Sequence, residues 1–229
     1  MFSVMFEVHP RPERFDDYLA LAGHLKPLLE RIDGFVDNER FESLARPGWL
    51  LSHSTWRDEK SVVRWRTQGE HHSVQERGRL EVFEDYRLRV GEIVADTAPP
   101  GGMDMLEQRL DETEVGAARL ATLTEIVLPQ GPALAGGREL SPGDVGLDTA
   151  HRDLVEHEIF RSIYRPGKFA LLAGWRTAAG GTSWRPGASD ANAEIRHRAI
   201  RVVREYGMFD RRETPQFHAP ATRRGQSAR

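Results

Sequence analysis

The chain has 229 residues, a mass of 25.9 kDa and a formal net charge of −3. With 39% hydrophobic residues it can bury a core, which excludes wholesale disorder, and the balanced charge offers no global basic field for nucleic acid. It has no cysteine, hence no disulfide, thiolate nucleophile or Cys-ligated metal. No apolar run approaches the roughly 20 residues of a membrane helix, and the start MFSVMFEVHP does not read as a signal peptide. These features predict a globular, cytoplasmic protein without membrane or nucleic-acid partners.

Ser3–His9 alternates, with Val4, Phe6 and Val8 on one side, as a half-buried strand does. Pro12 opens a helix whose apolar face is Phe15, Tyr18, Ala22, Leu25, Leu29 and Ile32; Pro27 should kink it and Asp33-Gly34 end it. Val36–Leu44 and Trp49–Trp56 read as strands around Arg46-Pro47-Gly48, where Pro-Gly favours a type II turn. Residues 58–66 and 70–82 are predicted helical and 83–94 a final strand, giving the order β-α-β-β-α-β of a ferredoxin-like unit.

A second unit follows. At an offset of 119, residues 36–65 and 155–184 share ten identities in thirty positions, among them Trp56/Trp175 and Trp65/Trp184. Beyond Trp184 the offset is read as 126, aligning His71 with His197 and Phe83 with Phe209 after about seven extra residues. In this copy Thr122–Leu128 is the first strand, and the Gly- and Pro-rich 131–148 replaces the long helix with a loop or lid. Strands at 155–163 and 169–175, a helix at 194–206 and a strand near 209–217 complete it. The predicted organisation is 1–94 and 121–217 as domains, 95–120 as linker and 218–229 as a disordered tail. The fold class is α+β: two tandem ferredoxin-like units whose sheets face each other as an intrachain pseudo-dimeric α/β barrel. A homodimer of such pseudo-dimers is left open.

The run 34–93 resembles the antibiotic biosynthesis monooxygenase family of dimeric α/β-barrel proteins. Phe41-Glu42-Ser43, Trp56-Arg57-Asp58, Trp65, Glu70-His71, Gln75, Gly78-Arg79 and Asp85-Tyr86-Arg87 carry the resemblance. It implies the fold and, by analogy with the family's oxygenases, a cofactor-independent monooxygenase taking O₂ and a small electron-rich aromatic or polyketide-like substrate. An ionised hydroxyarene can pass an electron to O₂ itself, so an apolar barrel interior with one base and one or two donors would suffice. On that reading His71 or His72 is the base, Trp65 a wall, and Arg87 an anion stabiliser. Tyr86, Phe41, Trp184 and His197 contact substrate. The first copy is expected to hold the working cavity.

Haem-degrading relatives typically carry an Asn on the first strand and an axial His ten residues after the helical Trp. Here Gln75 stands ten residues after Trp65, and residues 1–10 hold no Asn. No metal or nucleotide motif is present, and His71-His72 lack an i, i+4 ligand partner. The rival from another class is a non-enzymatic barrel that binds a small hydrophobe.

Overall fold

The computed structural model describes residues 1–229 except 102, 104, 106, 130–137, 188–189, 191, 216–220 and 222–229. Its first half contains β1 (Phe2–Pro10), α1 (Phe15–Leu29), β2 (Phe35–Ser43), β3 (Leu50–Trp56), α2 (Glu59–Thr67), α3 (Gly69–Arg77) and β4 (Phe83–Asp96). The second contains β5 (Leu120–Val127), β6 (Leu154–Ser162), β7 (Lys168–Trp175), α4 (Ala178–Ser183) and β8 (Glu194–Gly207). Strand order is β1-β3-β2-β6-β7-β5-β8-β4, a closed eight-stranded barrel. The two sheets do face each other, but they are also joined edge to edge by hydrogen bonds at β2–β6 and β4–β8.

Local chemistry explains most of these elements. Gly48 at φ +79° accepts the left-handed position of a type II turn, closed by Trp49 N–H donating to the Arg46 carbonyl over 3.1 Å. Gly167 repeats this at φ +82°, with Lys168 N–H donating to Arg165. Asp58 caps α2 by accepting the Ser61 N–H at 2.8 Å, and Gln68 caps α3 by accepting the His71 N–H at 2.6 Å. Helix α1 runs through Pro27 and buries Tyr18, Ala22, Leu25 and Leu29 against the sheet.

The largest departure from expectation is residues 194–206, which are not helical but form most of β8. Both faces of this strand are covered, and its inward charges are paired, so its Arg- and Glu-rich composition does not mark a solvated helix. Leu123 pairs with Arg198 as Met5 pairs with Arg89, so Arg198 is the counterpart of Arg89, and His197 holds the place of Leu88. The offset of 126 that set His197 against His71 is therefore wrong. The segment between β7 and β8 is shorter than its first-half counterpart, with one six-residue helix in place of α2 and α3. Residues 209–215 are irregular rather than a strand. The 131–148 segment shows one 3₁₀ turn, Pro142–Val145; its 131–137 part, and the tail apart from Ala221, lie outside the described residues.

Barrel walls alternate. Residues such as Met5, Phe41, Leu51, Leu123, Phe160 and Leu172 fill the centre of the interior. Polar clusters close its ends. At one, Arg89, 1% exposed, pairs with Glu7 at 2.6 Å and Glu156 at 2.9 Å, while Arg46 reaches Glu7 and Glu158. At the other, Arg198 and Lys168 hold Glu125, and Lys168 also pairs with Glu39 at 2.5 Å. Burial would raise the Glu125 carboxyl, but Arg198, His53 and Lys168 outweigh it and bring it down to about 2.

Candidate functional site

A cavity of about 220 Å³ lies outside the barrel, between the outer face of the first-half sheet and α1–α3. The oxygenation site was expected in an apolar barrel interior; the centre is instead packed with side chains, and a pocket of about 360 Å³ at one end is polar, lined by Glu7, Arg46, Arg87, Arg89, Glu156 and Glu158. Strand alternation decides this. Val4, Phe6, Leu88 and Val90 point to the helices and line the cavity, while Met5 and Arg89 point inward. Helix α1 contributes Tyr18, Leu21 and Leu25, and α2–α3 contribute Val62, Trp65, His71 and Gln75. The last strand of the other half and the segment after it complete the wall with Arg204, Tyr206, Arg211 and Pro215.

Trp65 and His71 form a stacked pair in the lining. Their rings stack with centroids 4.0 Å apart and planes 14° from parallel. His71 Nδ1 lies 2.9 Å from the Trp65 carbonyl oxygen. A carbonyl can only accept, so Nδ1 carries the proton and Nε2 presents a lone pair. Gln75 Nε2 stands 3.4 Å from that lone pair. Burial pushes the His71 pKa down to about 4, so the ring is neutral at physiological pH. Nearby, the Tyr86 hydroxyl accepts hydrogen bonds from Arg79 at 2.6 Å and Arg211 at 2.5 Å. Burial raises the Tyr206 phenol to about 12. Among the described residues no group of three His, Asp or Glu side chains could hold a metal ion, and no helix is long and apolar enough to cross a membrane.

The sequence profile described as antibiotic biosynthesis monooxygenase matches residues 1–77. Jasmonate monooxygenase ABM of Pyricularia oryzae is 43% identical over 228 residues, which is 97% of this chain and 100% of that protein. The chain belongs to the antibiotic biosynthesis monooxygenase family. Membership carries a monooxygenase-type function, with a small-molecule substrate and O₂. Among solved structures, an aldoxime dehydratase superposes with a TM-score of 0.52 at 10% identity, covering 88% of this chain and 81% of that one. That likeness concerns the fold alone. A monooxygenase-titled structure from Fusobacterium nucleatum covers 89% of this chain and 93% of its own at 7% identity and a TM-score of 0.38.

The cavity of this family member gathers three of the residues singled out from the sequence, Trp65, His71 and Tyr86, and leaves out five. His72 is on α3 but not among the lining residues. Phe41 is fully buried in the barrel centre, because it alternates with the cavity-facing Arg40. Arg87 also points inward, where Glu156 at 2.6 Å and Glu205 at 2.9 Å occupy its guanidinium; it cannot reach an anion in the cavity. Trp184 and His197 belong to the second half. Trp184 packs 5.0 Å from His197 and 6.0 Å from Trp175, and donates through its indole N–H to the Gly146 carbonyl over 3.1 Å. His197 bonds the Thr124 hydroxyl at 2.8 Å. Around them Leu128, Leu140, Val145 and Leu147 fill the space under that sheet.

Sequence reasoning missed Arg40, Arg66, Tyr206 and Arg211. A signal existed for Arg40: β2 reads FVDNERFES and has polar residues on both faces, which a strand with one solvated face would not show. The residues from β8 carried no local signal, since they reach the cavity only through the β4–β8 seam.

Proposed function

We propose that this family member oxygenates a small, mostly apolar substrate with an acidic proton in the first-half cavity, without a bound cofactor. Electron-rich aromatic and polyketide-like compounds have that character. The relative named for jasmonate adds a third candidate, since the ring ketone of jasmonate has acidic α-protons. The observation that carries the reading is the neutral His71, stacked on Trp65, with its Nε2 lone pair in a largely apolar cavity.

His71 Nε2 would take the substrate proton. The anion formed beside it raises the basicity of the imidazole, and the dry walls keep the charge pair tight. The substrate anion then gives an electron to O₂ and recombines with the resulting superoxide at carbon. Loss of water from the peroxide leaves a carbonyl, so that CH₂ and O₂ become C=O and H₂O, with the substrate supplying every electron. Trp65 would hold both the ring of His71 and the flat face of the substrate.

The 119-residue periodicity and the matching strand order of the halves support a tandem duplication, in which the second half closes the barrel and completes the first half's cavity. The test is oxygen uptake by chelator-treated, dialysed protein with anthrone, a quinol and jasmonate, without added reductant, and mass analysis of the products. Uptake with one oxygen atom incorporated, lost in Trp65→Phe or His71→Gln, is expected. A second reading, a binding module without catalysis, draws on Gln75, whose amide faces the His71 lone pair at 3.4 Å. Saturable binding of these compounds with no turnover would favour it.

A further inference from the structure

In a chain dense with ion pairs, the half-buried guanidinium of Arg40 has no carboxylate partner among the described residues. Arg40 lies on β2, opposite Ser52 on β3, and its side chain lines the cavity. Its Nε is buried and without a hydrogen-bond partner, and among the described residues no carboxylate lies within ion-pair distance of it. Its guanidinium hydrogen-bonds the phenols of Tyr18 and Tyr164, neutral partners that supply no counter-charge. Arg89 and Arg198, inside the barrel, also have an unpartnered Nε, yet their terminal nitrogens hold Glu7 and Glu125. Arg40 has no such carboxylate.

Charge in the cavity points the same way. Lys26, Arg40, Arg66, Arg79, Arg204 and Arg211 line it, against one acidic side chain, Glu59, which Arg109 holds at 2.7 Å and Arg204 at 3.8 Å, while Lys26 pairs with Glu30 at 3.9 Å. Arg66 Nε is also buried without a partner. A buried charge without a counter-ion is expensive, and a lining with two unmatched guanidinium N–H donors favours an anion over a neutral guest. A guanidinium presents its donors in a planar fork that suits the two oxygens of a carboxylate. The cavity, about 220 Å³, is smaller than the roughly 300–1,000 Å³ of drug-sized sites and otherwise apolar.

We propose that Arg40 anchors a carboxylate on the substrate, and that the cavity therefore selects small apolar organic acids over neutral compounds of the same shape. This rests on the reading of the cavity as the substrate site. It makes Arg40 a specificity-determining residue that acts on a part of the substrate remote from the reacting carbon, while Arg66 and the other cations bias the cavity toward anions.

The test compares matched acid and neutral probes, jasmonic acid with methyl jasmonate and octanoate with 1-octanol, by titration calorimetry on the full chain. The acid of each pair is expected to bind roughly tenfold tighter or more, the gain of one charge-assisted hydrogen bond. Arg40→Met should abolish that preference while leaving the neutral probe's affinity unchanged, which also shows that the cavity is intact. If Arg40→Met does not bind the neutral probe, Arg40→Gln carries the same expectation. Equal affinity for acid and neutral probes in the parent protein would overturn the proposal, as would a preference that survives both substitutions. The two readings fail separately. Arg40-dependent acid binding without oxygen uptake refutes the oxygenase and keeps the anchor. Undiminished turnover of acids by Arg40→Met refutes the anchor and keeps the oxygenase.

Discussion

Acidification should strike stability and catalysis in different ranges, and His71 decides both. Its pKa is about 4 in the folded chain against an ordinary 6.5, because burial disfavours the charged ring. In the unfolded chain it takes a proton near pH 6.5, while the folded protein refuses one until about pH 4. Stability is therefore undiminished above 6.5, falls as the pH drops through this window, and levels off below it. At about pH 5 the unfolded state gains about 2 kcal/mol from His71 alone. His53 and His197, both lowered to about 4 with burial the first cause, add to the fall in the same window.

Catalysis should not follow that curve. The free enzyme keeps His71 in its basic form down to the same pH of about 4, so kcat/KM from oxygen uptake should be flat through 6.5 wherever the protein is folded. His71→Gln should reduce kcat by about 100-fold or more, the ordinary share of a general base. It should also become relatively more stable than the parent near pH 5, since one proton-refusing ring is gone. Urea melts at pH 7.5 and 5 and a pH–rate profile measure both. An acid limb near 6.5 that disappears in His71→Gln would show that the ring titrates as if solvated, and would refute the desolvation argument.

Three further outcomes follow from particular contacts. Trp65→Phe should lose oxygen uptake by an order of magnitude or more, whereas Trp184→Phe and His197→Ala, in the filled second half, should retain the parent rate; equal losses in the two halves, measured on folded protein, would remove the asymmetry. Gly91→Ala places a Cβ 2.4 Å from Ile200 Cγ2 and 2.5 Å from the Arg201 carbonyl, across the β4–β8 seam, and should cost about 1–3 kcal/mol in a chemical melt; a neutral outcome would show that the seam yields. Arg89→Met should cost about 3–5 kcal/mol by leaving Glu7 and Glu156 undercompensated, and adding Glu7→Gln should recover part of it; a double variant worse than the single would show that Glu7 is compensated by Arg46 without Arg89 and would refute this account.

The parts of the fold legible in the sequence are those fixed by local chemistry. Arg46-Pro47-Gly48 and Arg165-Pro166-Gly167 are turns because Gly at positive φ follows a Pro, and that reading needs no tertiary context. The α1 face was legible because its spacing matches the helical period along one buried side. Residues 194–206 were not. A strand buried on both faces loses the alternation that marks strands, and its buried arginines imitate a solvated helix unless their carboxylates on other strands are known. The cavity failed for a related reason. Trp65, His71, Tyr86, Phe41 and Arg87 all belong to motifs that carry the resemblance, but a motif does not say which face of a strand a residue takes, and the one-residue step from Arg40 to Phe41 or from Tyr86 to Arg87 moves a side chain from the cavity to the barrel interior.

The seams explain what a second half adds beyond closing a barrel. On the duplication reading, Glu42 and Arg161 are counterparts at the 119 offset, and they face each other across β2–β6 with a 3.2 Å ion pair. Glu92 and Arg201 are counterparts by strand register and face each other across β4–β8 at 3.4 Å. These are the positions where two identical chains would set a residue against its own copy, Glu against Glu or Arg against Arg. Exposed pairs such as the first stabilise little, about 0–1 kcal/mol, but like charges there would oppose assembly, so the opposition works mainly as selection. Halves that can only pair with each other need not stay alike. The second has given up the paired helices that roof a cavity, and its last strand instead sends Arg204 and Tyr206 across the seam beside Leu88 and Val90, into the cavity of the first. A site built from one half alone would lack both of these side chains, so on the proposed reading the asymmetry that favours the first half's cavity is the same asymmetry that completes it.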